Sequence, residues 1–364
     1  MPVINIDGIV KQPDGGKRIL DNVTLKIEDR SFACILGPPG AGKTTLLRII
    51  AGLEPPTEGT IYFDHQDVTD LSPQKRGVSM VFQDFALYPH LTVYDNIASP
   101  LKAVGSSKEE MNQRIKEVSE FLKIADLLER KPEQLSGGEM QRVAIARALA
   151  KGPRICLFDE PLVNLDYKIR EGMRAEFKLM QERLGQTIIY ATPDPVDALA
   201  MADKVAILNN GKVEQYTGVD EAYNHPATVF AGTYLGYPAM NVIKCSLVER
   251  EEKLLLDAGS FTLDVTALKD KLKSSAKEIV LGIRPEYLNI SEEPLEGMDA
   301  SFEAKIVVGE VIGSDTIVHL RLGEHLLKAF VPEIYRARLG KTVWISFDLS
   351  DIHIFDGLTS KIVI

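Results

Sequence analysis

An α/β fold with a mostly parallel sheet, followed by a smaller all-β domain, is the architecture this sequence predicts, and three features carry the expectation. Phe32-Ala33-Cys34-Ile35-Leu36 is a short apolar run of the buried-strand kind. It enters the glycine-rich stretch Gly37-Pro38-Pro39-Gly40-Ala41-Gly42-Lys43-Thr44-Thr45, after which residues 45–51 have helical apolar spacing closed by Gly52. Further apolar runs at 78–82, 154–158 and 187–191 alternate with helical stretches, which indicates a parallel sheet with its site at the strand ends. Past about residue 235 helical spacing nearly disappears and short β-like runs separated by turns take over, the mark of a small barrel or sandwich.

Taken in order, residues 3–10 and 18–28 read as two strands joined by the turn Gln12-Pro13-Asp14-Gly15-Gly16. The glycine-rich loop and its helix follow. Residues 72–77 read as a loop, and the strand at 78–82 delivers Gln83 at its end. A helix-rich stretch with charged faces runs from about 93 to 130, and about 85–150 reads as a helical subdomain inserted between strands. Leu135-Ser136-Gly137-Gly138-Glu139-Met140-Gln141-Arg142 opens a further helix, whose two leading glycines make a second anion-binding end. The strand at 154–158 ends in Asp159-Glu160-Pro161. A helix over about 167–184 is closed by Gly185, and the strand at 187–191 runs into Thr192-Pro193-Asp194-Pro195. In the tail, strands are expected at 242–248, 252–257, 260–265, 279–283, 303–311, 316–321, 325–330, 343–347 and 352–355, with one short helical piece from Thr266 to Lys273. The domains are therefore placed at 1–235 and 236–364.

Composition narrows the function classes. A length of 364 residues allows two or three domains, each with its own core, and 45% hydrophobic with 26% charged residues is ordinary for a globular chain. No run of about 18 apolar residues occurs, and the N-terminal stretch Met1-Pro2-Val3-Ile4-Asn5-Ile6-Asp7 has neither the basic start nor the apolar core of a signal peptide. Cys34, Cys156 and Cys245 lie far apart inside apolar runs, which suits reduced, buried thiols. A net charge of −10 argues against a general nucleic-acid binder.

The stretch from Gly37 to Thr45 fits G-x-x-x-x-G-K-[ST], a P-loop in its required strand, loop and helix context. Its glycines let successive backbone N–H groups turn inward onto phosphate oxygens, and the helix N-terminus adds its positive dipole end. Lys43 is expected to reach the β- and γ-phosphates, and the Thr44 hydroxyl to bind Mg²⁺.

The loop, Gln83, Leu135-Ser136-Gly137-Gly138-Glu139, the strand ending in Asp159-Glu160 and the following Leu165-Asp166 stand in the order found in ATP-binding-cassette ATPases, which the chain resembles. The pattern L-S-G-G-[QE] before the acidic pair is specific to that family. Tyr237-Pro238-Ala239-Met240-Asn241, Gly282-Ile283-Arg284-Pro285-Glu286, Gly313-Ser314-Asp315-Thr316 and His353-Ile354-Phe355-Asp356 resemble the tail of the subclass that imports sugars, polyols and glycerol phosphates. That resemblance implies a P-loop NTPase cassette with a helical subdomain, then an OB-fold-like domain for regulation or dimerisation. It implies ATP and Mg²⁺, with Asp159 holding the cation through water beside Thr44, Glu160 as general base, and Gln83 contacting the cation or the attacking water. Ser136, Gly137, Gly138 and Glu139 form the signature, which in the family clasps the γ-phosphate of ATP held by the other subunit. Implied partners are a second cassette subunit, two transmembrane permease subunits and an extracytoplasmic solute-binding protein; no nucleic acid is implied. The implied location is the cytoplasmic face of the cell membrane.

The chain also departs from that pattern. Relatives carry V-T-H-D where this sequence has Ala191-Thr192-Pro193-Asp194, and proline has neither a side-chain donor nor an N–H. None of the six histidines lies near that position. Relatives place an aromatic residue for adenine after a lysine near the start, where this chain has Lys11-Gln12-Pro13, and Val163 stands where serine is usual. Base–aromatic stacking is worth about 1–3 kcal/mol in nucleic-acid systems. The losses at Pro193 and Pro13 fall in the site built on the chain's own cradle, that at Val163 in a segment that in the family crosses the dimer interface, and the signature is intact, so the expectation is a heterodimeric pair with a non-identical partner. This chain would then have low turnover at its own site and complete the partner's. A competent homodimeric importer ATPase, a soluble non-transport cassette protein and a purely structural subunit stand as alternatives.

Overall fold

The computed structural model describes residues 2–272 and 277–364. Met1 of the N-terminal stretch and Lys273 of the helical piece read in the tail lie outside the described residues. Contacts divide the chain into two units, Met1–Val219 and Asp220–Ile364, a boundary earlier than residue 235.

The first unit holds two sheets. Strands β1 (Ile4–Lys11), β2 (Leu20–Ile27), β4 (Glu58–Phe63) and β5 (Gln66–Asp67) form an antiparallel sheet in the order β2-β1-β4-β5. Between them in sequence come β3 (Phe32–Leu36) and α1 (Lys43–Ala51). The second sheet adds β6 (Val78–Val81), β7 (Ile155–Asp159), β8 (Thr187–Thr192), β9 (Lys204–Asn209) and β10 (Lys212–Gly218), in the order β10-β9-β3-β8-β7-β6. All its pairings are parallel except β9 with β10. Every residue of β3, β7 and β8 is buried, as expected for central parallel strands covered on both faces. Leu46, Leu47, Ile49 and Ile50 of α1 join one core with Ile6 and Leu25 of the antiparallel sheet and Leu157 and Ile189 of the parallel sheet, so α1 is the middle layer.

The helices lie where the spacing puts them. After the short α2 (Pro73–Arg76) come α3 (Val93–Ala103), α4 (Lys108–Phe121) and α5 (Gly137–Ala150), the helical subdomain. Capping boxes start α4 at Ser107 and Glu110, and α5 at Ser136 and Glu139. Helix α6 (Tyr167–Leu184) starts at Asp166, whose carboxylate accepts from the Ile169 N–H, and ends on Gly185 in the left-handed conformation; α7 (Pro195–Met201) follows β8. None of these helices, nor any other among the described residues, is long and apolar enough to cross a membrane.

The second unit begins within α8 (Val219–Asn224) and continues with α9 (Val229–Tyr234). Its strands are β11 (Asn241–Arg250), β12 (Lys253–Asp257), β13 (Thr262–Asp264), β14 (Glu278–Ile283), β15 (Asn289–Ser291), β16 (Ala300–Ile312), β17 (Asp315–Leu322), β18 (His325–Val331), β19 (Thr342–Phe347) and β20 (Ile352–Asp356). They form two antiparallel sheets, β13-β12-β11-β14-β20 and β15-β19-β16-β17-β18. Inward residues of both, among them Leu256, Leu281, Val318 and Ile345, make one core.

Several sequence expectations are corrected. The loop at 72–77 contains α2, because Ser72 precedes a proline set for a first helical turn. The helical piece starting at Thr266 is a 3₁₀ turn, Thr266–Leu268. Strands β4, β5, β9, β10 and β15 were not anticipated. All three cysteines are free and buried.

Candidate functional site

The loop between β3 and α1 wraps around its own backbone. Gly40 and Gly42 have φ of 80° and 105°, which only glycine adopts readily, and a Cβ on Gly42 would meet Leu20 Cδ2 at 2.7 Å. The Gly37 N–H donates to the Thr192 carbonyl at 3.2 Å, tying the loop to the end of β8. Lys43 is 3% exposed. Its ammonium donates to the carbonyls of Gly37 at 2.8 Å and Pro38 at 3.0 Å, and it pairs with Glu160 Oε1 at 2.9 Å.

Strand β7 brings the acidic pair to this loop. The Thr44 hydroxyl donates to Asp159 Oδ1 at 2.9 Å. Burial pushes the Asp159 carboxyl above the usual carboxylate range; the Thr44 hydrogen bond opposes that shift and the neighbouring Glu160 charge adds to it. Glu160 sits at φ 48°, an uncommon conformation outside glycine, with its N–H donating to the Ala191 carbonyl at 2.9 Å. Thr44, Asp159, Gln83, Asn164 and Arg48 line one cleft of about 610 Å³, and Asn164 Nδ2 donates to the Gln83 carbonyl at 3.3 Å. Gly40, Gly42, Lys43, Thr44, Thr45, Glu160 and Ile19 line a second, smaller hollow of about 160 Å³.

The donor set in the larger cleft is a hydroxyl, a carboxylate and an amide, all hard oxygen ligands of the kind Mg²⁺ takes alongside waters and phosphates. Among the described residues no three or more His, Cys, Asp or Glu side chains cluster so as to hold a metal ion.

The structure thus brings the stretch from Gly37 to Thr45, Gln83, Asp159 and Glu160 together. Ser136 to Glu139 line neither hollow. The Glu139 carboxylate accepts from the Ser136 N–H at 2.7 Å and hydroxyl at 2.8 Å, which together hold it below the usual range, the backbone bond contributing most. Gly138 packs so tightly that a Cβ would lie 3.0 Å from Ile169 Cγ2. Pro193 lies in the turn between β8 and α7. Pro13 is exposed in the turn between β1 and β2, where its carbonyl accepts from the Gly16 N–H at 2.9 Å.

Sequence reasoning missed Arg170 and Arg174, which reach Asp194 from α6; their spacing of one helical turn puts them on one helix face and does not say what that face meets. It also missed the left-handed conformation of Glu160, for which the sequence holds no signal.

Residues 20–163 match the family model described as ABC transporter, residues 236–288 the MalK OB fold domain and residues 281–355 the TOBE domain. The chain is 40% identical over 349 residues to the sulfoquinovosyl glycerol transport ATP-binding protein SmoE of Agrobacterium fabrum, covering 95% of this chain and 96% of that one. It belongs to the ATP-binding subunits of ABC transporters. Similar ABC subunits include the trehalose/maltose import ATP-binding protein MalK of Thermococcus litoralis, 42% identical over 94% of both chains. The sn-glycerol-3-phosphate import ATP-binding protein UgpC of Escherichia coli is 37% identical over 99% of both. Among solved structures, the ABC cassette MJ0796, a dimer bound to ADP and Pi, matches 59% of this chain and 98% of its own, with 35% identity and a TM-score of 0.54.

Proposed function

We propose that this ABC subunit binds ATP and Mg²⁺ at the stretch from Gly37 to Thr45 and powers import of a sugar, polyol or glycerol-phosphate-like solute from the cytoplasmic face of the membrane. The observation that carries this reading is the convergence of Lys43 with Glu160 and of Thr44 with Asp159 at the ends of β3 and β7. The relatives' names, which speak of sulfoquinovosyl glycerol, trehalose/maltose and sn-glycerol-3-phosphate, supply the solute class. Two permease subunits and an extracytoplasmic binding protein complete the assembly.

In this mechanism the loop N–H groups and the α1 N-terminus bind the phosphates, and Lys43 neutralises the β- and γ-phosphoryl oxygens. Thr44, Asp159 and Gln83 would hold Mg²⁺, which supplies charge neutralisation on the phosphates. Water attacks the γ-phosphorus, the bond to the leaving ADP oxygen breaks, and the water proton goes to the Glu160 carboxylate. Ser136, Gly137, Gly138 and Glu139 face the nucleotide of a second cassette subunit; that the similar cassette MJ0796 is a dimer bound to ADP and Pi supports a paired assembly.

The finer reading is that turnover at this chain's own cradle is low and that its partner is a non-identical subunit retaining a histidine at the position of Pro193. Pro193 supports it: the end of β8 just before it holds the Gly37 N–H through Thr192 and the Glu160 N–H through Ala191, yet position 193 offers no hydrogen-bond donor. Steady-state ATPase of the purified chain, alone and in the transporter, tests the pair. Little hydrolysis alone is expected, with Ser136→Arg crippling the assembled complex more than Glu160→Gln. Rapid hydrolysis by the lone chain that Glu160→Gln abolishes would replace the pair with a competent homodimer. No nucleotide binding at all would remove the ATPase reading itself.

A further inference from the structure

Glu160 at φ 48° occupies a conformation unfavourable for a residue with a Cβ, which persists only where the surroundings over-determine it. Two segments flank it. Its N–H donates to Ala191 at 2.9 Å, just before the turn at 192–194, and its carbonyl accepts from the Val163 N–H at 3.3 Å, within the segment 162–166. One side chain bridges these two segments. Arg170, on the first turn of α6, donates from Nη1 to Asp194 Oδ2 at 3.1 Å and from Nη2 to the carbonyls of Val163 at 3.2 Å and Leu165 at 3.4 Å.

The far end of the bridge is itself anchored. Asp194 caps α7 by accepting from the Val196 N–H at 2.9 Å, and its own N–H donates to the Thr192 hydroxyl at 3.0 Å. Arg174 shares Asp194 Oδ2 at 3.0 Å and pairs with the buried Asp197 at 2.7 Å, which accepts the Thr192 hydroxyl at 2.7 Å. The Thr192 carbonyl in turn receives the Gly37 N–H. An unbroken series of bonds thus runs from the first glycine of the cradle to the segment after Glu160, and Arg170 is its last link. Arg170 Nε is buried without a partner in the structure. Native side chains rarely leave such a donor unmet, and here the guanidinium is aimed by its two Nη ends, each facing one segment.

We infer that Arg170 is a positioning residue for hydrolysis: its planar fork locks the segment 162–166 to the turn at 192–194 and so fixes the backbone of Glu160 between them. Lysine cannot substitute, because a point charge reaching Asp194 leaves the carbonyls of Val163 and Leu165 without their shared donor. Arg174 is the natural control, since it shares Asp194 and touches neither carbonyl.

Two readouts test this. Hydrogen exchange on the purified full chain is expected to quicken at least about fivefold at Val163 and Leu165 in Arg170→Gln and in Arg170→Lys, while Arg174→Gln lowers the melting temperature and leaves those amides within about twofold. The second readout is turnover in the assembled transporter that depends on Glu160, taken as the rate removed by Glu160→Gln. It is expected to fall about tenfold or more in Arg170→Gln with KM for ATP within about twofold, a split that a loss of folded protein does not produce. That arm rests on the proposed ATPase reading. If Glu160→Gln removes no turnover, this cradle is the silent one of the pair and the exchange comparison alone decides the role of Arg170; loss of nucleotide binding, not loss of turnover, is what removes the ATPase reading. Unchanged exchange in Arg170→Gln, an equal effect from Arg174→Gln, or full rescue by Arg170→Lys overturns the inference.

Discussion

Lys43 shows how much of the site is a matter of single atoms. A lysine this deeply buried needs several oxygen partners, and the two loop carbonyls with Glu160 supply them. The loop itself was legible from its spacing of glycines and lysine, whereas the bonds of Lys43 to the Gly37 and Pro38 carbonyls and to Glu160 were not. Pro193 is a similar case: its identity was legible, and its consequence depends on what it neighbours. A preorganised donor at a phosphoryl or oxyanion site is worth on the order of 10²–10³ in rate. Pro193→His is accordingly expected to raise the Glu160-dependent ATPase rate by about tenfold or more, read as kcat in the assembled transporter. An unchanged kcat would mean that the donor missing at 193 does not limit this cradle. What no residue letter disclosed was the conformation of Glu160 and the route by which Arg170 braces it, because both depend on where α6 lies in the fold.

At the scale of elements, the central strands and the long helices were readable because burial on both faces or on one stripe leaves a periodic trace. The β9–β10 hairpin was overlooked although Asn210 and Gly211, with φ of 47° and 80°, carry the Asn-Gly signal for a turn of this kind. In the second unit, β20 sets His353 in a partly buried position, and burial, with smaller contributions from the charges of Arg284 and His225, lowers its pKa from 6.5 to about 4. The fold therefore favours the neutral imidazole, while the unfolded chain takes up a proton near pH 6.5. The stability contributed is fully present above pH 6.5 and is lost as pH falls toward 4. His353→Gln, which cannot titrate, is expected to narrow its stability difference from the parent chain over that window, measured by urea unfolding at a series of pH values. A difference that stays constant from pH 7 to 4 would contradict the lowered pKa.

For the whole molecule, the position of the boundary between the two units is a physical question about Arg284. Its side chain is 1% exposed and donates to the carbonyls of Tyr223, Gly232 and Leu235, with its guanidinium 3.5 Å from the centre of the Tyr223 ring. All three acceptors precede residue 236, so the packed unit takes in the helices that come before the first strand of the tail. Backbone bonds reinforce this: the Ile362 N–H donates to Ala227 at 2.9 Å and the Val229 N–H to Ser360 at 2.9 Å. Val229 also packs against Met240, Val280 and Phe355. A fragment spanning 220–364 keeps every one of these partners, whereas 236–364 leaves a buried guanidinium with no acceptor among them. A hydrogen bond to a charged group is typically worth about 1.5–3 kcal/mol. The longer fragment is therefore expected to unfold cooperatively in urea, and the shorter one to be less stable by about that amount. In the shorter fragment, Arg284→Met is expected to recover stability, while the same substitution in the longer one lowers it; equal stability of the two fragments would place the boundary at 236 and remove Arg284 from that role.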